Sequence, residues 1–172
     1  MRIFLTSLLC GALMLSGQSL SGRRAPSFSL PDSNQVQHDI LDYRGKWLLL
    51  TFTTTISCQR CAQLSRELDK LQSPKIGVLS VMISPPENAN TATRYAAENK
   101  LTAPIVFDQS QVAIGYFKAT PSNSRIDTPH LFAINPAGMI VQDWSDNAVG
   151  TMLGGKGGAA AVIQALIASA PK

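Results

Sequence analysis

Two long apolar runs organise the chain. "KWLLLTFT" (46–53) and "KIGVLSVMI" (75–83) are continuously apolar or β-branched rather than alternating. That pattern predicts strands buried on both faces, as in a parallel sheet. Between them, "CQRCAQLSRELDKLQ" sets apolar groups at 61, 64, 68 and 71, one stripe of a helix, with Ser57 placed to cap it. Strand, helix and strand make a βαβ unit with a right-handed crossover. Upstream, "SFSLPD" and "VQHDIL" read as short strands around a turn at Asp32 to Asn34. Downstream, "NANTATRYAAENK" reads as a helix capped by Asn88 or Asn90, "APIVFD" as a short strand or extended piece, and "QSQVAIGYF" as a short helix. "PHLFAI" and "MIVQDW" are strands joined by "NPAG", where Pro136 and Gly138 suit a type I turn and an antiparallel hairpin. A closing helix near Gly158 to Ser169 can turn Val162, Ile163, Leu166 and Ile167 to a core. The predicted order is ββ, βαβ, α, a ββ hairpin and α, an α/β fold. There are no internal repeats, and the one biased stretch is the Gly-rich run from Gly150 to Gly158.

The first segment follows a different pattern. "MRIFLTSLLCGALMLSGQSLSG" has a basic residue at Arg2, an unbroken apolar stretch from Ile3 to Leu15, then small and polar residues to Gly22. This is the layout of a secretory signal peptide over residues 1–22, or of an uncleaved anchor, with a core short for a membrane span. Leu9 stands where a small residue should precede a lipidated cysteine, which argues against a lipoprotein site at Cys10. The folded domain is expected over 25–172, in the periplasm or outside the cell. Its length suits one domain, and 45% hydrophobic with 15% charged residues excludes a disordered chain. The net charge of +4 is spread singly, with Arg23-Arg24 the only adjacent basic pair, so no nucleic-acid partner is expected.

Loss of the leader leaves Cys58 and Cys61 as the cysteines. A pair this close is no disulfide framework, and an exported location lets it cycle. A cysteine at a helix start is where free N–H groups and the helix dipole stabilise a thiolate. Cys58 is therefore the expected nucleophile, with Arg60 adding positive charge nearby, and Cys61, one turn further in, the resolving thiol. A structural disulfide would constrain little of the unfolded chain, being so short a loop. Zinc would have only Cys58, Cys61, His38 and His130 to draw on, without the paired spacing of common zinc sites.

These motifs resemble the thioredoxin-fold family, and within it the TlpA-like, redoxin-type exported thiol–disulfide oxidoreductases. "APSFSLPDSN…LDYRGKWLLLTF" is similar to that family's opening, a β-hairpin extension and an "RGK" turn into the central strand. "SCQRC" occupies the place of its redox motif, and "DTPHLFAINPAGMIVQDW" that of its cis-proline segment and hairpin. The resemblance implies a central mixed sheet flanked by helices and a cis Thr128–Pro129 bond beside Cys58. Pro129 offers no N–H near the sulfurs, and the backbone of Thr128 is left free to pair with an extended substrate. It further implies that Glu87 takes the Cys61 proton, or is only a solvated loop glutamate. Protein thiol or disulfide substrates, a membrane thiol donor for re-reduction, a monomer and no cofactor complete the implied picture.

The chain departs from that pattern at Ser57, where the family has Trp, and at Arg60, where it often has Pro. His130 is expected as a core-edge strand residue with one hydrogen-bond partner. Two rival functions share the fold. A peroxiredoxin would match Thr55, three residues before Cys58, but would want proline at Thr51 and an activating arginine at Pro129. A Sco-type copper chaperone would use both thiolates and an imidazole, yet it spaces its cysteines one residue further apart and its histidine upstream of His130.

Overall fold

The computed structural model describes residues 20–55, 57–83, 88–108, 111–118 and 126–170. Its centre is a five-stranded mixed sheet in the order β5-β4-β3-β6-β7. The strands are β3 (Trp47–Thr53), β4 (Ile76–Met82), β5 (Ile105–Phe107), β6 (His130–Ile134) and β7 (Ile140–Trp144). β3 runs parallel to β4, and β4 to β5, whereas β6 is antiparallel to β3 and to β7. A separate antiparallel pair, β1 (Ser29–Pro31) with β2 (Gln37–Asp39), forms the N-terminal hairpin. Five helices follow the same chain order: α1 (Gln59–Asp69), α2 (Ala89–Asn99), α3 (Gln111–Phe117), α4 (Asp146–Gly154) and α5 (Gly158–Ser169).

Every residue of β3 is buried, which is the physical meaning of its unbroken apolar run. Alternation along the strand feeds two cores. Leu48, Leu50 and Phe52 join Phe132 and Tyr116 on one face, and Trp47 and Leu49 join Leu64, Leu68 and Ile163 on the other. Burial lifts the Tyr116 phenol far above its ordinary pKa. It therefore stays a donor, and its hydroxyl holds the Pro26 carbonyl at 3.0 Å. Residues 20–25 run along the open edge of β7, with Gly22 N–H on Ile140 and Ala25 N–H on Gly138. Pairing to the sheet thus begins inside the segment assigned to the leader. Residues 1–19, with Cys10, lie outside the described residues.

Two expectations need correction, and a third is narrowed. The cap of α1 is Cys58, not Ser57: the Cys58 sulfur accepts the Cys61 N–H, while Ser57 takes φ +47° in the tight turn before it. Asn88 alone caps α2, accepting from Asn90 and Thr91. The glycine-rich run conceals a helix, α4, which Val149 and Met152 anchor in the core. Gly150 leaves room there for Arg60, whose guanidinium would lie 3.1 Å from a Cβ at that position.

Two carboxylates fasten the site helix to its neighbours. Glu67 accepts from Ala159 N–H at the start of α5 at 2.6 Å. Asp69 accepts from Thr102 N–H and Ala103 N–H, at 2.8 and 2.7 Å, just ahead of β5. Asp69→Ala should strand those two donors and lower the urea-unfolding free energy by about 1–3 kcal/mol, with the thiol chemistry at the far end of α1 intact.

Candidate active site

The end of β3 delivers the chain to the redox motif. Phe52 pairs with His130 in the β3–β6 register, so Thr54 and Thr128 fall just beyond the paired strands, at the same end of the sheet as Cys58. Thr54, Cys58 and Thr128 line one cleft of about 360 Å³ together with Ser57, Gln59, Arg60 and Asp146. The Thr128–Pro129 peptide bond is cis, and Pro129 is buried behind Thr128.

Cys58 and Cys61 are joined as a disulfide, with Cα atoms 5.2 Å apart. Their burial differs sharply: Cys61 is 1% exposed, whereas Cys58 is only partly covered and opens onto the cleft. The Cys61 N–H points at the Cys58 sulfur at 3.1 Å. This N–H is one of the free donors of the α1 N-terminus, and it would serve a thiolate better than it serves a disulfide. The arrangement supplies an attackable sulfur with a donor aimed at it, and a second sulfur shielded behind.

Arg60 does not aim its charge freely at that sulfur. Its guanidinium is held by Asp146, at 3.0 Å from a carboxylate oxygen and 3.1 Å from the Asp146 carbonyl. Both side chains are partly in water, so the pair contributes little stability. Its effect is positional: Arg60 lies across the first turn of α4, and Asp146 becomes a site residue. Sequence reasoning overlooked Asp146. The available signal was "WSDNAV", in which Ser145 and Asp146 mark a helix start.

The remaining candidates fall elsewhere. His130 is buried, its ring stacked on Phe132 and edge-on to Phe117, with Nε2 at 3.2 Å from Asp143. It is the core-edge strand residue expected. His38 sits on β2 against Asp32 at 3.1 Å. Among the described residues no three His, Cys, Asp or Glu side chains gather as a metal site. Glu87 lies outside the described residues. A larger groove of about 660 Å³ opens at the opposite end of the sheet, between Trp47, the hairpin turn and α5. Among the described residues it is lined by no cysteine, histidine or charged side chain, so size does not mark the chemistry here.

Comparison with known proteins agrees with this geometry. The AhpC/TSA family matches residues 21–143. The thioredoxin-like protein YneN of Bacillus subtilis is 31% identical over 99 residues, which are 55% of this chain and 58% of that protein. The thiol-disulfide oxidoreductase ResA of Geobacillus kaustophilus is 29% identical over 123 residues, covering 70% of this chain and 67% of that one. Among solved structures, peroxiredoxin Q of Xanthomonas campestris superposes with a TM-score of 0.67 at 20% identity, over 89% of this chain and 100% of that one. The sheet and its flanking helices are thus thioredoxin-like.

Freeing Arg60 should change the reactivity of its neighbour. With Asp146→Asn, the leading thiol of the reduced protein should be alkylated about threefold faster at neutral pH, as the unpaired cation favours its thiolate. The check is the rate of iodoacetamide labelling as a function of pH. An unchanged profile would mean that Arg60 and Cys58 do not feel each other.

Proposed function

The chain belongs to the AhpC/TSA family, and from that premise we propose that it is an exported thiol–disulfide oxidoreductase that reduces disulfides in partner proteins. The observation that carries this reading is the unequal burial of the two linked sulfurs at one helix start. In the reduced protein the Cys58 thiolate attacks a substrate disulfide. One substrate sulfur leaves as a thiolate and the other forms a mixed disulfide with Cys58. Cys61 then attacks the Cys58 sulfur, releasing the second substrate thiol and closing the Cys58–Cys61 bond. A dithiol donor at the membrane returns the pair to its reduced state, giving up two electrons and two protons.

The cleft supports a division of labour. Thr128 offers backbone to an extended substrate segment, Pro129 keeps N–H donors away from the sulfurs, and Arg60 holds the rim. Glu87 is assigned the proton of Cys61. The relatives' names support thiol chemistry, while export, the membrane donor, a cytochrome-maturation role and a monomeric state are part of this proposal. The likeness to a peroxiredoxin is one of fold. A peroxidase would need a donor to polarise the peroxide, and Pro129 stands where its arginine is expected.

Cys58→Ser should abolish reduction of insulin disulfides by dithiothreitol-primed protein, at least a hundredfold below wild type on the scale of a lost nucleophile. Cys61→Ala should accumulate mixed disulfides with its exported partners, which non-reducing gels and mass spectrometry would identify. Retention of insulin turnover by the serine variant would reject the mechanism.

A further inference from the structure

Two hydroxyl groups in the core are buried without a hydrogen-bond partner among the described residues. They belong to Thr51 and Thr53, which are 1% and 0% exposed. An unpaired buried hydroxyl costs about 1–3 kcal/mol, and valine has nearly the same shape without that penalty. Their position is specific. They alternate with Leu50 and Phe52 and so share the sheet face of Trp47 and Leu49, the face on which Leu64 and Leu68 of α1 pack. In the β3–β4 register Thr53 is opposite Met82, and the apolar cluster of Met82 takes in Ala62, the residue after Cys61. Thr53, with Thr51 one step below it on the same face, therefore underlies the first turn of α1, where Cys61 is buried.

In the disulfide, the Cys61 sulfur is bonded to Cys58 and carries no proton. Reduction changes its needs. As a thiol it gains a donor, and as a thiolate it becomes a strong acceptor in a site from which water is excluded. We propose that Thr51 and Thr53 are positioning residues whose hydroxyls pair with the Cys61 sulfur only after the disulfide opens, so that they favour the dithiol form. The inference rests on the reading above, that the pair cycles between disulfide and dithiol. The balanced step with glutathione is simple. The Cys58–Cys61 bond breaks, two S–H bonds form, and two glutathione thiols supply the electrons and protons as they close to glutathione disulfide.

The test is the equilibrium constant of the pair with reduced and oxidised glutathione, measured on wild type, Thr51→Val, Thr53→Val and Thr53→Ser. At least one of the valine variants should shift the constant about five- to tenfold toward the disulfide, on the scale of one hydrogen bond to a polar sulfur. A tenfold shift is about 30 mV for a two-electron couple. In that variant, urea unfolding should show the oxidised form unchanged or more stable and the dithiol form less stable, and serine at 53 should keep the wild-type constant. Unchanged constants in both valine variants, or equal stability changes in the two redox forms, would overturn the proposal. If the valine variants do not fold, the structure of the wild-type dithiol form decides: no contact between either hydroxyl and the Cys61 sulfur also overturns it. Glutathione needs no protein partner. Loss of insulin turnover would therefore count against the proposed function while leaving this constant measurable.

Discussion

A single contact ties the fold to its chemistry: the N–H of Cys61 directed at the sulfur of Cys58, 3.1 Å away. It caps α1, a position normally served by an oxygen of Ser, Thr, Asp or Asn. The same N–H is a preorganised donor for negative charge on that sulfur. Helix capping and thiolate stabilisation are therefore one interaction, and β3 is what aims it. A strand buried at every position cannot shift register without exposing large apolar side chains, so the point at which the chain leaves the sheet is fixed. The carboxylates of Glu67 and Asp69 fix the other end of the helix, and the two sulfurs are held between these constraints.

Much of this was legible in the residues. The unbroken run at 46–53 and its parallel partner, the helical stripe through 61, 64 and 68, and the Pro136–Gly138 turn all appear as expected. These are local patterns whose physics does not depend on distant partners. The misreadings share the opposite character. Gly150 speaks against a helix until Arg60, from another part of the chain, is seen lying over it. Ser57 is the better cap by composition, but the turn forces it to positive φ and hands the cap to the cysteine. Asp146 enters the site across 86 positions of sequence, a pairing that nothing local announces. In the sequence, Thr51 and Thr53 were indistinguishable from β-branched strand formers, because an orphaned hydroxyl is visible only once the packing around it is known.

The site's chemistry also explains why shape alone separates the candidate activities poorly. A peroxiredoxin superposes over most of the chain, yet an activity lives in the few groups around the sulfur. Here those groups are small and polar: Thr54, Ser57, Gln59 and Thr128, with one cation neutralised by one anion. Among the described residues this cleft has no apolar anchor to select a side chain, and its one cation is paired with Asp146. What it presents is polar backbone and hydroxyl edges, the kind of surface on which the extended peptide of the proposed reaction would pair. The broad apolar groove sits at the other end of the sheet, away from the sulfurs.

The order of events then follows from packing rather than from any intrinsic difference between two cysteines. Of the two linked cysteines Cys58 is the one that opens to solvent, so in the proposed cycle every intermolecular exchange begins or ends on its sulfur. Cys61 can meet only Cys58, but it does so within one helical turn, at an effective concentration no external thiol approaches. In the proposed cycle a mixed disulfide is therefore resolved before a second partner intrudes. Shielding has a cost, since a buried sulfur that loses its bond to Cys58 must find polar company or stay protonated. The core beneath α1 is mainly apolar, and among its buried polar groups are Thr51 and Thr53 of β3, with Ser80 opposite Thr51 on β4 and Ser65 on the helix itself. On the proposal above, the unpartnered hydroxyls of the oxidised state serve as the solvation of the reduced one.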